Sequence, residues 1–173
     1  MDSKIKTKFL SIIMLMGLFS GACFSQGNAI HNVTDRDQRF APGDIVANRS
    51  ATATQEIPTD LLYDLKSTIY VKNNGISKVT GAAPLVLQFK DTKSFNVASK
   101  SNALFNKVEM IKIDIASTTT LNTPFNLSST QGFNNLKYIY LNCEFPVTED
   151  QIRSFIQNAD PEIIIFYNIY KRS

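Results

Sequence analysis

The chain has 173 residues, with 18 Lys and Arg against 15 Asp and Glu and a single His. That length allows one ordinary domain with a tail but not two full ones. Hydrophobic residues at 43% and charged residues at 19% exclude a disordered or collagen-like polymer, and two cysteines exclude a disulfide framework.

Residues 1–25 are set apart by their pattern. Lys4, Lys6 and Lys8 precede an apolar run from Phe9 to Phe19, which is too short to span a bilayer comfortably, and small residues follow at Ser20, Gly21, Ala22, Cys23 and Ser25. This arrangement resembles a bacterial secretory signal peptide, which implies an exported protein, periplasmic or secreted. Cleavage after Ser25 leaves Gln26 as the new terminus. Cys23 after Ser20-Gly21-Ala22 also resembles a lipoprotein box, which implies a membrane-anchored alternative through a lipidated Cys23; the departure is Ser20, where that pattern carries Leu. Removing 1–25 takes away three Lys and one Asp, leaving 148 residues with 15 basic and 14 acidic groups, net +1. Without a basic stripe, nucleic acid is not the expected partner. No later segment reaches transmembrane length. Cys143 is then the only cysteine, and in an apolar strand it is expected as a small core residue.

Residues 26–55 are polar, with Phe40 the only aromatic, and are expected to form a loosely ordered N-terminal arm. His31, Asp35 and Asp37 gather there without metal-ligand spacing, so a solvated tail is expected and no metal is implied. Asn32-Val33-Thr34, Asn48-Arg49-Ser50 and Asn126-Leu127-Ser128 match the N-glycosylation pattern but carry no weight behind a bacterial leader.

A globular α/β domain is expected over 56–173. Its strands read as 69–71, 85–89, 110–115, 138–143 and 163–170. A helix is expected at 146–158. Thr148 and Gln151 complete a capping box, Val147 and Ile152 a hydrophobic staple, and Ile152, Phe155, Ile156 and Ala159 a buried stripe. Glu149 and Asp150 complement the positive end of that helix.

The strands also compare with one another. Phe105, Val108, Ile111 and Ile113 superimpose on Phe133, Leu136, Ile139 and Leu141 with an offset of 28 residues. Pro84, Leu87 and Phe89 fit Pro161, Ile164 and Phe166 in the same frame, so the steps between Leu87, Ile111, Ile139 and Ile164 are 24, 28 and 25. Gln131 to Cys143, with echoes at Ile57-Pro58, Asp60-Leu61 and Ile69 to Ile76, resembles a leucine-rich repeat over about 57–168. Glu144 stands where that family places its ladder Asn or Cys, and the step from Ile69 to Leu87 is 18. The resemblance implies a short repeat-like solenoid of parallel strands with helical or irregular connections; the alternative is a single compact α+β domain. Parallel neighbours in chain order would distinguish the two.

In the repeat frame Ile139, Leu141 and Cys143 point inward, so Tyr138, Tyr140 and Asn142 point outward beside Lys112, Asp114 and Tyr167. These six are the expected binding residues, because Tyr offers apolar area and a hydrogen-bonding tip together. The opposing expectation is a second layer that covers this face.

Catalytic patterns are missing. The one His lies in the arm, and no Gly-rich phosphate loop, His-Glu-x-x-His or paired Cys motif occurs. Asp114 and Glu144 are the carboxylate pair an enzyme would use. The sequence therefore points to an exported non-catalytic binding module for a protein or glycan of the cell envelope, with no cofactor. The alternative is a small exported hydrolase or carbohydrate-acting protein.

Overall fold

The computed structural model describes residues 27–33, 45–46, 55–56 and 58–170; the leader, with Cys23, and most of the expected arm lie outside the described residues. Strands of three to six residues pair into one sheet. They are β1 (Ile30–Asn32), β4 (Thr68–Lys72), β5 (Gly75–Val79), β6 (Val86–Phe89), β7 (Met110–Ile115), β9 (Tyr138–Cys143) and β11 (Ile164–Ile169). Short strands β2 (Ile45–Val46) and β3 (Gln55–Glu56) pair with each other, as do β8 (Phe125–Asn126) and β10 (Ile156–Gln157). Among the described residues two α-helices, α1 (Thr59–Tyr63) and α2 (Glu149–Phe155), occur, and both are brief.

The class is mixed α/β with a mostly parallel seven-stranded sheet in the order β1-β11-β9-β7-β6-β4-β5. From β4 to β11 each strand of the sheet after β5 lies parallel beside the one before it in the order 4, 6, 7, 9, 11. Among the described residues of this sheet, only β5 is antiparallel. Ile69, Leu87, Ile111, Ile139 and Ile165 form one row across the register, flanked by Val71, Phe89, Ile113, Leu141 and Tyr167.

The main core lies on that face. The three segments that link β6 to β7, β7 to β9 and β9 to β11 all bury side chains into it, among them Val97, Phe105, Phe125, Ile152 and Phe155. The first two of these segments carry 3₁₀ turns, at Thr92–Val97, Ala103–Lys107, Thr118–Asn122 and Leu127–Ser129. Phe105 stacks on Phe133 with centroids 4.8 Å apart, and Ile111 pairs with Ile139, so the 28-residue offset describes real neighbours.

The frame slips by one residue at the last strand. Ile165, not Ile164, pairs with Ile139. The run Ile163-Ile164-Ile165-Phe166 is buried on both faces, so its hydrophobicity carries no phase, and a one-residue shift reverses every side chain. Tyr167 therefore turns into the main core, 6% exposed, instead of joining Tyr138 and Tyr140.

Helix α2 keeps its expected start. The Thr148 N–H donates to Gln151 Oε1 at 2.9 Å, the Gln151 N–H donates to Thr148 Oγ1 at 3.3 Å, and Val147 and Ile152 are buried. It ends sooner than its stripe predicts, because Ile156 and Gln157 leave the helix to pair with Phe125 and Asn126. Asn158, at φ 53°, turns the chain there and donates from Nδ2 to Asn126 Oδ1 at 2.9 Å.

The arm contributes more than its composition suggests. β1 closes the sheet beside β11, and His31, placed in a solvated tail by its polar neighbours, is 8% exposed with its ring 5.6 Å from that of Phe166. At the opposite edge, Asn73 and Asn74 both take positive φ, as a two-residue hairpin turn requires. Asp91 holds this turn: the Asn73 N–H donates to its Oδ2 at 3.0 Å, and Ser94 Oγ, which accepts from the Asn74 N–H, donates to its Oδ1 at 2.7 Å.

Burial works to raise the Asp91 carboxyl, but the hydrogen bonds from Asn73 and Ser94 outweigh it and hold the group below its ordinary 3.8. The stability it contributes is present above that ordinary value and is lost as pH falls through the lower, folded value. Asp91→Ala is expected to cost about 1–2 kcal/mol near neutral pH, since charged hydrogen bonds are the stronger kind. The difference from wild type should shrink in acid. Urea melts at both pH values measure it, and a difference that grows in acid would contradict this account.

Candidate functional site

The second face of the sheet is divided. Across its lower half, Leu61 and Leu62 of α1 and Val33 pack on Val86, Met110, Tyr140, Ile164 and Phe166, with Tyr138 partly buried against them. Tyr140 is 9% exposed. The strand alternation that points both Tyr residues away from the main core is as expected, but a second layer covers them. Tyr140, buried with Leu61 and Leu62, has little surface to offer a partner, which corrects its placement in an exposed row, while Tyr138 is half-buried against the same cluster.

Lys112 belongs to the same layer. Its ammonium donates to the Leu62 carbonyl at 2.8 Å and lies 5.8 Å from the centre of the Tyr140 ring. A cation at the C-terminal end of α1 satisfies a carbonyl that the helix leaves without a partner. Burial pushes Lys112 from its ordinary 10.5 down to about 8; Asp114 favours the charge and Lys90 opposes it. Between about pH 8 and 10.5 the unfolded chain binds more protons there than the folded one, so stability is expected to rise with pH across that window. Lys112→Met should remove this rise. Urea melts of both proteins at about pH 7 and about pH 10 give the comparison, and equal changes in the two would refute it.

The upper half, at the carboxyl ends of the parallel strands, is open. Each strand or its next residues carry a polar group there: Lys72 on β4, Lys90 after β6, Asp114 on β7, Asn142 and then Glu144 on and after β9, and Tyr170 after β11. With Tyr70 and Lys78 they line a shallow hollow of about 830 Å³. Ligands of parallel sheets collect outside the carboxyl ends of the strands, where side chains from several strands converge.

The hollow is internally braced. Asp114 accepts from Lys90 Nζ at 2.9 Å and from Gln88 Nε2 at 3.1 Å, and Tyr170 donates to Glu144 Oε1 at 3.0 Å. Lys90 Nζ stands 6.0 Å from the Tyr70 ring centre. Three lysines gather toward β4 and β5 and two carboxylates toward β7 and β9. Of the six residues singled out in the sequence, the structure brings Asp114 and Asn142 to this hollow, places Lys112 and Tyr140 under α1, leaves Tyr138 half-buried beside Phe166, and turns Tyr167 to the main core. Glu144, the other half of the carboxylate pair, does reach the hollow with Asp114.

Sequence reasoning missed Lys72, Lys90 and Tyr170. Counting two residues on from the outward-facing Tyr70, Gln88 and Asn168 would have found them. The buried Cys143 points into the main core, where burial pushes its thiol up to about 12; it is a packing residue. Among the described residues, no group of three or more His, Cys, Asp or Glu is placed to hold a metal, and no helix is long and apolar enough to cross a membrane. Comparison with family models, curated proteins and solved structures finds no match to this chain.

Proposed function

We propose that the protein is an exported, non-catalytic binding module, built as a short repeat-like solenoid that offers the upper strand face to a protein or glycan of the cell envelope. One observation carries the reading. Strands laid side by side in chain order bury their connections in one core and leave the carboxyl ends of the other face open. That is what stacking repeats do when each unit cannot bury its apolar face alone. The ligand surface is then Asp114, Asn142, Lys72, Lys90, Glu144 and Tyr170, a mixture of planar amide and carboxylate groups, ammonium groups and a Tyr ring suited to polar, partly charged partners.

The basic and apolar leader supports export, with processing before Gln26. Intact mass of the protein from an exporting host tests it. A mature chain still beginning at Met1 would overturn export, and a diacylated Cys23 would select the anchored form.

For binding, the test is a glycan array and a set of purified envelope proteins probed with wild type and with Lys90→Ala/Asn142→Ala. A ligand held by wild type and lost by the double variant, at an unchanged melting midpoint, supports the face. Equal retention by both overturns it. The placement of Asp114 and Glu144 in one hollow favours a hydrolase as the second reading. Hydrolysis of an envelope glycan that disappears in Asp114→Asn/Glu144→Gln would replace the binding-module reading by that one.

A further inference from the structure

The sheet ends at β5, which has β4 alone as its neighbour among the described residues. Alternate N–H and C=O groups of such an edge strand point away from the sheet. Every residue of β5 after Gly75 is exposed. The edge is also unusually apolar for one left open: Ile76 and Val79 are 37% and 39% exposed.

The pairing sorts its side chains. Val79 lies opposite Ile69 and Ile76 opposite Val71, which places both on the core side of the sheet, while Lys78 lies opposite Tyr70 on the other side. The register skips Ser77, so the strand carries a bulge that lets Ser77 and Lys78 both line the hollow with Lys72. On the core side a second hollow, of about 340 Å³, lies beside Ile76 and is lined by Val97 and Lys100 among others. The edge thus runs between two depressions, one on each face, and neither Lys72 nor Lys78 forms an ion pair among the described residues.

We propose that the outer edge of β5 accepts, as an eighth strand, an extended segment of a partner protein in which acidic and apolar residues alternate. Backbone pairing supplies the attraction and the two depressions supply the choice of side chain, because successive residues of a strand point to opposite faces. Acidic residues face Lys72 and Lys78, and apolar ones cover Ile76 and Val79. A second copy of this chain is the poorer occupant. Two β5 edges side by side would bring Lys72 and Lys78 of both copies together, and like charges on an edge oppose that pairing.

The inference adds the sheet edge to the strand-face reading, and its test senses backbone chemistry to which a strand-face ligand is indifferent. A labelled, end-blocked octapeptide alternating Glu and Val is titrated with the purified protein by fluorescence anisotropy. Binding is expected, and it should be lost when every second amide on one edge of the peptide is N-methylated. Lys72→Glu/Lys78→Glu should weaken it by about tenfold or more and favour the matching Lys-Val peptide. The proposal is overturned if the Glu-Val peptide does not bind at millimolar concentration, if neither N-methylated form binds more weakly when the two edges are tried in turn, or if wild type takes the Lys-Val peptide equally well. A dimer in sedimentation that the double variant abolishes would put a second copy on the edge and overturn it too. Should the double variant fold poorly, the N-methylated peptides on wild type decide the matter alone.

Discussion

Phe155→Ala is expected to lower the unfolding free energy by about 3–5 kcal/mol, the range for truncating a buried aromatic and leaving its cavity. Phe155 is fully buried, and its ring stands 6.1 Å from that of Phe95. Phe95 in turn lies 5.1 Å from Phe89 and 4.8 Å from Phe125. These four rings come from a strand and from each of the three connections behind the sheet, so the cavity opens where all three connections meet. Thr148→Ala, which removes one exposed cap acceptor from the same helix, should cost about 0.5–2 kcal/mol. Denaturant melts that ranked the cap above the ring would contradict the view that α2 is held by its buried face.

The second large effect is at Tyr138 and Tyr140. Replacing both by Ser is expected to lower stability by about 3–5 kcal/mol, because Tyr140 is buried beneath Leu61 and Leu62 and the Tyr138 ring lies 6.0 Å from that of Phe166. Exposed residues would have changed stability by no more than about 0.5 kcal/mol. The double variant therefore reports on the cover formed by α1 and Val33. An unchanged melting midpoint would mean that α1 does not seat on the sheet and that the whole strand face is open to a ligand.

Much of the sheet was legible because its signals are local. Ile111, Ile113 and Ile115 of β7 and Ile139, Leu141 and Cys143 of β9 recur at every second residue, so strand and inward phase follow from period 2. The start of α2 follows from four residues that satisfy one another across a single turn. The hairpin at Asn73-Asn74-Gly75 is equally local, and Asn74 is a turn residue at positive φ and not part of a repeat echo.

The candidate site was less legible, for a different reason. Alternation tells which side of a strand a residue takes, but not whether another segment lies on that side. Asp114 and Asn142 differ from Lys112 and Tyr140 by one step of the same pleat, yet the first two line the hollow and the last two meet α1. A five-residue helix more than forty residues away in the chain makes that distinction.

What the amino-acid sequence determined by itself, then, was the five parallel strands β4, β6, β7, β9 and β11, the capped turn of α2 and the kinship of the 105–113 and 133–141 segments, all of which depend on neighbours within a few residues or on a shared spacing. Tertiary structure alone decided the phase of β11, the burial of His31 beside Phe166, the early end of α2 at its pairing with Phe125, and the division of the second face into a covered half and an open one. Each of these is a contact between distant segments. Its free energy comes from apolar area and backbone groups that meet only after the chain has folded, and no local pattern records that meeting in advance.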